Sequence, residues 1–315
     1  MTTPTPSFLV IGATGFVGGA IARHLAAKAQ DVYGLARSRH AHERILGMGL
    51  RPVAGDLEHA LEDTIAAATH VDTVVFAAQV APDIEHAAVS SLLDSMAGTQ
   101  QTFVFISGTG VFLQRTAGAW SPDTFAEDEP FLIEPLAQRR VEVETLVRAA
   151  ASRGLRSMVI RPPLVWGPAD HGHVAMTYRS IAATGAACYV GSGLATYSNV
   201  HAEDLARLVA LAGERGRAGA LYHGVAGEIP NRWIAEAVAR DVGCATRAVT
   251  FDEAKEIWGG FGALIMSASS RSRSQRARRE LGWTPTHTDM LAMIGEPRLR
   301  AMAVSTHTPT TEQDA

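Results

Sequence analysis

The stretch that most constrains the fold of this chain runs from Phe8 to Gly19 and reads FLVIGATGFVGG. Its four leading apolar residues fit a short strand that is buried on both faces. Gly12, Gly15 and Gly18 follow at G-x-x-G-x-x-G spacing, a variant of the usual fingerprint, and a helical pattern continues to about Lys28. A strand, a glycine turn and a helix N-terminus predict a dinucleotide site, because glycines let the backbone approach a pyrophosphate at which free N–H groups point. The loop residues predicted to contact the dinucleotide are Gly12, Thr14, Gly15, Phe16, Val17 and Gly18.

Composition narrows the remaining classes of protein. The 315 residues, of which 47% are hydrophobic, suffice for one large core or for a core with a smaller lobe. A formal net charge of −4 argues against a nucleic-acid partner. Cys188 and Cys244 are far apart with no ligand-like spacing, so neither a disulfide framework nor a metal site is predicted, and the cytoplasm is the expected location. No apolar stretch approaches the roughly 18 residues that cross a bilayer, so no membrane partner is expected.

Apolar runs that fit strands alternate with helical patterns at 41–47, 58–68 and 84–97. This alternation predicts an α/β fold with a doubly wound (Rossmann) parallel sheet of about seven strands and a cleft at their carboxyl ends. The runs after the first strand are Asp31–Arg37, Pro52–Ala54, Val71–Ala78, Thr102–Ser107, Leu155–Arg161 and Ala220–Val225.

The same patterns predict how the chain is divided. A dinucleotide-binding domain is expected at 8–165, with 198–225 returning to it. Residues 166–197 and 226–303 are expected to form a small C-terminal substrate lobe, in which Tyr178, Tyr189 and Tyr197 are interpreted as packing residues. The Thr/Pro-rich ends, 1–7 and 304–315, are predicted to be disordered.

The end of the second predicted strand is expected to select the cofactor. An acidic residue there binds the ribose 2′-hydroxyl of NAD, whereas a basic residue accommodates the 2′-phosphate of NADP. This chain has Arg37, Ser38 and Arg39 at that place and no acid. The sequence therefore predicts NADP, with Arg37 as the selecting residue; the alternative is that both arginines are merely exposed.

Six stretches of the chain form a pattern in this order: GATGFVGG, Gly55-Asp56-Leu57, VVFAA, RPPLVWGP (Arg161–Pro168), VHAEDLA (Val200–Ala206) and ELGWTP (Glu280–Pro285). Together they resemble the extended short-chain dehydrogenase/reductases, a superfamily that includes the NAD-dependent epimerases and dehydratases, over about residues 8–285. The resemblance implies that Asp56 and Leu57 lie by the adenine, that Ala77 and Ala78 lie along the cofactor, and that the substrate side begins at Arg161, with Pro162 in contact with the cofactor. Asp56 could equally cap its own loop.

The chain departs from this superfamily at the residues that transfer protons. The superfamily has a Ser or Thr after the fifth strand, but the Val111-Phe112 register places Gly108 there, flanked by Ser107 and Thr109. The Tyr-x-x-x-Lys of the following helix becomes Leu136 and Arg140, in a helix taken to begin near Glu134. Arg140 can hold a ribose or phosphate, but its pKa is too high for proton exchange. The pattern is similar to atypical members of the superfamily, which keep the NADP fold with a degraded Ser/Tyr/Lys set.

The main functional prediction is an NADP-dependent oxidoreductase that delivers hydride to a carbonyl, imine or activated alkene of a small metabolite. Ser107 or Thr109 is predicted to polarise the substrate oxygen, and His171, in a loop that should overhang the substrate, is a candidate acid. The His171-Gly172-His173 pattern has no partner at ligand spacing, so no metal is predicted. An epimerase or dehydratase and a non-catalytic NADP sensor stay open as alternatives, and a homodimer through 84–97 and 134–152 is what the resemblance implies.

Overall fold

A computed structural model describes residues 5–28 and 30–304. The strands are β1 (Ser7–Ile11), β2 (Asp31–Ala36), β3 (Arg51–Ala54), β4 (Thr73–Phe76), β5 (Thr102–Ile106), β6 (Arg156–Arg161), β7 (Leu164–Trp166), β8 (Ala187–Val190), β9 (Thr196–His201), β10 (Leu221–His223), β11 (Gly227–Pro230) and β12 (Thr246–Val249). The α-helices are α1 (Phe16–Ala27), α2 (Arg39–Gly47), α3 (Leu61–Thr69), α4 (Pro82–Ser95), α5 (Gln138–Ala149), α6 (His173–Thr184), α7 (Ala202–Arg215), α8 (Asn231–Val242), α9 (Phe251–Ser267, kinked at Gly259), α10 (Gln275–Leu281) and α11 (Pro297–Met302).

Seven strands form the central sheet in the order β10-β6-β5-β4-β1-β2-β3, and every neighbouring pair is parallel. Alternate residues of the central strands enter two separate cores, because successive side chains of a strand point to opposite faces. Val10 and Val75 pack with α1 and α7, whereas Leu9 and Val74 pack with α4 and α5. The predicted doubly wound sheet and its seven strands are confirmed.

The helix predicted to begin near Glu134 starts later than the sequence suggested. Residues Pro135–Ala137 form a single 3-10 turn, and α5 begins at Gln138 after Ala137, whose φ of −106° and ψ of 6° lie outside the α region. Proline is well suited to the first position of such a turn because its fixed φ needs no N–H donor there. Leu136 consequently lies on the turn rather than on the helix.

A smaller apolar core unites parts of the chain beyond β6. Trp166, Tyr178, Ile234 and Val238 are buried in it, with α6, α8 and α11 around them. A three-stranded sheet (β11-β9-β7) and a two-stranded sheet (β12-β8) belong to this half of the chain.

The segment 113–134, between β5 and α5, is held against the chain near residue 270. Gln114 and Ser269 exchange backbone hydrogen bonds of 2.8 and 2.9 Å, and Phe125 pairs through its backbone with Arg271 and Arg273. This pairing carries the stretch 269–273 to the end of β5, where the candidate site lies.

Of the ends predicted to be disordered, residues 1–4 and 305–315 lie outside the described residues. The prediction is wrong for Ser7, which begins β1 and donates from its backbone N and Oγ to Asp72 Oδ2 at 2.8 and 2.7 Å. Across the described part of the chain, no helix combines the length and the apolar character needed to cross a membrane.

Candidate functional site

The glycine loop after β1 is packed too tightly for side chains. Gly12 has a φ of +92°, and a Cβ there would lie 2.7 Å from the Ala78 nitrogen and 2.8 Å from the Ala77 oxygen. A Cβ on Gly18 would lie 2.2 Å from the Gly12 oxygen. Gly15, the N-cap of α1, provides no side-chain cap, so backbone N–H groups of the first turn are available to an anion. The loop therefore has the form that a pyrophosphate cradle requires.

An arginine outside the motif holds this loop in place. The Nη2 atom of Arg44, in the last turn of α2, donates to the Thr14 oxygen at 2.8 Å. The contact spans thirty positions of sequence and follows no recognised motif, so sequence reasoning missed it.

The predicted adenine-side residues meet beyond β2 and β3. Asp56 Oδ1 accepts hydrogen bonds from the backbone N–H groups of Glu58 (2.8 Å) and His59 (2.9 Å). These two donors lower the pKa of Asp56, and the nearby charge of Arg37 lowers it further. Asp56 thus caps its own loop, as the alternative interpretation held, while Arg37 stays exposed beside it. Leu57 is partly buried against the α3–α4 side of the core.

The ends of β5 and β6 are locked together. Ser107 donates its backbone N–H to the Ile160 oxygen at 2.8 Å, and Thr109 donates to the Pro162 oxygen at 3.0 Å. Ala77 donates to the Ile11 oxygen at 2.9 Å, so the ends of β1 and β4 meet in the same way. The predicted residues Gly12, Ala77, Ser107, Thr109 and Pro162 accordingly follow the carboxyl ends of neighbouring parallel strands.

Ser107 is occupied by a buried ion pair. Its Oγ donates to Glu144 Oε1 at 2.5 Å, and Arg161 Nε donates to the same carboxylate at 2.9 and 3.1 Å. The Glu144 and Arg161 side chains are 3% and 6% exposed, and the Arg161 guanidinium lies 5.0 Å from the Phe131 ring centroid. The hydroxyl proton of Ser107 is therefore committed to Glu144.

Thr109 has a different neighbour. Ser270 Oγ lies 2.8 Å from Thr109 Oγ1 and 3.0 Å from the Thr109 carbonyl oxygen, with Ser270 as the donor. Because Thr109 Oγ1 is the acceptor in this contact, the Thr109 hydroxyl proton is not used in it and is available to another acceptor. The Thr109 hydroxyl can therefore donate a hydrogen bond to a substrate, whereas the Ser107 hydroxyl already donates to Glu144.

The positions of the superfamily's other proton-transfer residues hold no acid or base. Gly108 is extended (φ −178°), and a Cβ there would meet nothing closer than the Pro162 oxygen at 3.8 Å. Leu136 is 68% exposed. Arg140 Nη2 donates to Glu85 Oε2 at 2.6 Å; Glu85 is itself buried, which raises the pKa of its carboxyl although Arg140 opposes the shift. A side chain would fit at position 108, so the hydroxyl is missing there because the residue is glycine and not because space is lacking.

The two histidines of the His-x-His pattern face different surroundings. The His171 ring lies 4.8 Å from the Phe16 ring in an edge-to-face arrangement, and burial lowers the pKa of His171. The His173 ring lies 4.6 Å from Tyr197 inside the lobe. His171 is thus brought beside the glycine loop, in a neutral form near pH 7.

One group of possible metal ligands occurs among the described residues, and sequence reasoning did not single it out. Ligand atoms of His201, Glu203 and His287 lie within 4.8 Å of one another. The two imidazoles stack at 4.2 Å with 28° between their planes, so their lone pairs run side by side instead of converging on one ion. This geometry does not favour a metal centre.

A parallel doubly wound sheet with a glycine cradle at the β1–α1 turn defines a protein that binds a nicotinamide dinucleotide. A sequence model of the NAD dependent epimerase/dehydratase family matches residues 8–225, and the chain belongs to this family. The resemblance inferred from the sequence is confirmed.

Three further comparisons show which known proteins the chain is similar to. An uncharacterized protein of Schizosaccharomyces pombe is 30% identical over 292 residues, which is 90% of this chain and 96% of that protein. A Stigmatella aurantiaca enzyme named 4-hydroxy-2-methyl-3-oxo-4-farnesyl-3,4-dihydroquinoline-1-oxide ketoreductase is 25% identical over 225 residues, 68% of this chain and 66% of that enzyme. The structure of dTDP-glucose 4,6-dehydratase from Bacillus anthracis in complex with NAD superposes with a TM-score of 0.73 at 16% identity, covering 95% of this chain and 96% of the dehydratase, and at that identity only the fold is shared.

Proposed function

We propose that this protein is an NADP-dependent reductase that acts on a carbonyl, imine or activated alkene of a small metabolite. The observation that carries the proposal is the Thr109 hydroxyl, which keeps a free proton at the end of β5 where the tyrosine and lysine positions offer none. Reduction needs one donated proton, whereas an epimerase or dehydratase must also take a proton back. Leu136 and Arg140 can do neither.

The residues present fit a nicotinamide dinucleotide. A Cβ at Gly12 or Gly18 would clash with backbone atoms, so the glycines keep the β1–α1 turn tight, and the uncapped N–H groups at the start of α1 can bind a pyrophosphate. When bound in reduced form, the cofactor supplies a hydride to an electrophilic carbon. The chain's own part is to orient the substrate and to donate a hydrogen bond from Thr109 to the oxygen or nitrogen on which negative charge develops. The proton that completes the reduction comes from solvent, so substrate, hydride and proton give the reduced product and the oxidised dinucleotide.

The general test is NADPH oxidation, followed by absorbance, with a panel of ketones, imines and enones. Consumption of NADPH in proportion to the reduced product supports a reductase. Isomerised product without net consumption would favour the epimerase alternative. Tight NADPH binding without turnover across the panel would favour a sensor.

Replacing Arg37 tests the cofactor assignment. Arg37→Ala is expected to weaken NADPH binding about tenfold or more and to leave NADH binding nearly unchanged, because only NADPH has the 2′-phosphate that a charge-assisted contact stabilises. Dissociation constants for both dinucleotides, measured by fluorescence, check this. Arg39→Ala is the matched control, since the Arg39 side chain is 93% exposed and, in the part of the chain that the structure describes, pairs only with Glu43. Equal losses for NADPH and NADH in Arg37→Ala would count against the assignment.

Replacing the two hydroxyls separately tests the role of Thr109. Thr109→Val is expected to lower kcat about tenfold or more, because it removes a hydrogen-bond donor to the developing charge. Thr109→Ser should restore most of the rate, and Ser107→Ala should change kcat less, since the Ser107 proton serves Glu144. Unchanged turnover in a Ser107→Ala/Thr109→Val double variant would remove both residues from the mechanism.

A further inference from the structure

Two buried polar side chains of the small lobe lie together with unused hydrogen-bonding capacity. His173 opens α6 and Tyr197 lies in β9, with ring centroids 4.6 Å apart. The residues are 1% and 6% exposed. Within residues 5–28 and 30–304, no partner is found for Tyr197 Oη, and the Ile265 backbone is the one hydrogen-bonding group that interacts with the His173 ring, so one ring nitrogen has no partner. These two residues are called the His173–Tyr197 pair below.

Other aromatic polar groups nearby are satisfied. The Tyr178 hydroxyl donates to Asp241 Oδ2 at 2.6 Å and accepts from the Gly295 nitrogen at 3.0 Å. Trp166 Nε1 donates to Asn199 Oδ1 at 3.1 Å. Buried polar groups in native proteins are nearly always paired, because an unpaired one costs its full desolvation penalty, so two unpaired atoms on neighbouring rings require an explanation.

The position of the pair supplies that explanation. Tyr197 forms a backbone bridge with Ser270, the residue whose hydroxyl contacts Thr109. Its ring packs with Leu113 and Leu264. The exposed fractions are 7% for Leu113, 6% for Tyr197 and 8% for Leu264. Ser270 therefore connects Tyr197 to Thr109, and the apolar residues around Tyr197 are slightly exposed to solvent.

The surroundings of the pair hold no charge that could neutralise an ionic ligand. The nearest acid that perturbs Tyr197 is Glu134, and its carboxylate is paired with Arg115 at 2.6 Å. Burial lowers the pKa of His173 to about 4 and raises the pKa of Tyr197, so both side chains are neutral at pH 7. A neutral imidazole and a phenol can each donate and accept one hydrogen bond.

We infer that His173 and Tyr197 are the polar anchor of the substrate pocket, which takes an uncharged substrate whose carbonyl or hydroxyl group they hydrogen-bond and whose apolar part lies against Leu113, Leu164 and Leu264. The inference rests on the proposed reductase function and names its substrate class. Leu164 is partly exposed and packs against this cluster, so it is the residue that a substrate would have to displace to reach the shielded atoms. A substrate whose charged group lies at the pair is disfavoured, because that charge would be buried without a partner.

The melting temperature distinguishes a Tyr197 hydroxyl that binds a substrate from one that stabilises the fold. Tyr197→Phe is expected to leave the melting temperature of the ligand-free protein unchanged or raised, because it removes an unpaired buried hydroxyl. Tyr178→Phe is the matched control and should lower the melting temperature, since it breaks two hydrogen bonds. A comparable fall in Tyr197→Phe would overturn the inference.

Equilibrium binding tests recognition without turnover. Acetophenone, 1-phenylethanol and benzoate are titrated into the NADP⁺-loaded protein by calorimetry. The wild type should bind the two neutral probes at least about tenfold more tightly than benzoate, and Tyr197→Phe and His173→Phe should each weaken them about tenfold, with Tyr178→Phe unchanged. Each of three outcomes would overturn the inference: no binding of the neutral probes, tighter binding of benzoate, or unaltered affinities in both variants. Failure to oxidise NADPH would refute the reductase proposal alone.

Discussion

Gly18→Ala is expected to weaken dinucleotide binding at least about a hundredfold, the loss that follows when a clash of roughly 3 kcal/mol falls on the binding loop. The added Cβ would lie 2.2 Å from the Gly12 oxygen and 2.7 Å from the Gly12 carbon, both of them backbone atoms that no side-chain rotation can move. The start of α1 must shift away from β1 to relieve the clash. The N–H groups that receive the pyrophosphate shift with it, and a fluorescence titration with NADPH measures the consequence.

A graded series of glycines controls for the substitution itself. Gly15→Ala places its Cβ 3.3 Å from the same Gly12 oxygen and should cost less affinity, while Gly110→Ala meets nothing within 4 Å and should cost none. Equal dissociation constants for the Gly18 and Gly110 variants would show that the cradle is not the binding site. Circular dichroism of each variant separates a local change from unfolding.

Glu144→Gln is expected to destabilise the protein by about 3–5 kcal/mol, seen as a fall in melting temperature of roughly 5–8 °C. The variant leaves the Arg161 guanidinium, whose side chain is 6% exposed, without its only close carboxylate among the described residues. Calorimetry or urea unfolding measures the change. The loss should vary little with salt, because buried pairs are poorly screened.

Two further variants test whether the loss of stability in Glu144→Gln comes from leaving the buried Arg161 charge unpaired. Glu43→Gln removes the partner of Arg39 on the surface of α2 and should change the free energy of unfolding by less than about 1 kcal/mol. A Glu144→Met/Arg161→Met double variant should lose less than Glu144→Gln, because it leaves no charge unpaired. A single variant as stable as the wild type would show that the pair contributes nothing.

The central sheet could be predicted because its signals are local. Runs such as Val71–Ala78 are apolar enough to be buried on both faces, and the glycine spacing marks the first turn without knowledge of any distant residue. The strands inside these runs appear as expected, with bounds that differ by one or two residues.

The committed hydroxyl of Ser107 could not be predicted in this way. Its acceptor, Glu144, is 37 positions away on α5, and the pairing depends on how that helix packs against β5 and β6. The same holds for Arg44 on the loop and for Ser270 beside Thr109, whose contacts exist only once the chain has folded. The order of the motifs indicated where the site lies, whereas the hydrogen-bonding state of each group in it required the structure.

The 3-10 turn before α5 bears on how this chain differs from relatives with a complete set of proton-transfer residues. Gly108 has room for a serine side chain, so a hydroxyl can be restored there by one substitution. Leu136 is different, because it lies on the 3-10 turn that precedes the helix carrying Arg140, and its side chain is 68% exposed. A tyrosine substituted there would lie on an exposed turn and not within a continuous helix. We therefore expect that restoring an acid–base pair requires a change in this turn as well as in the two side chains.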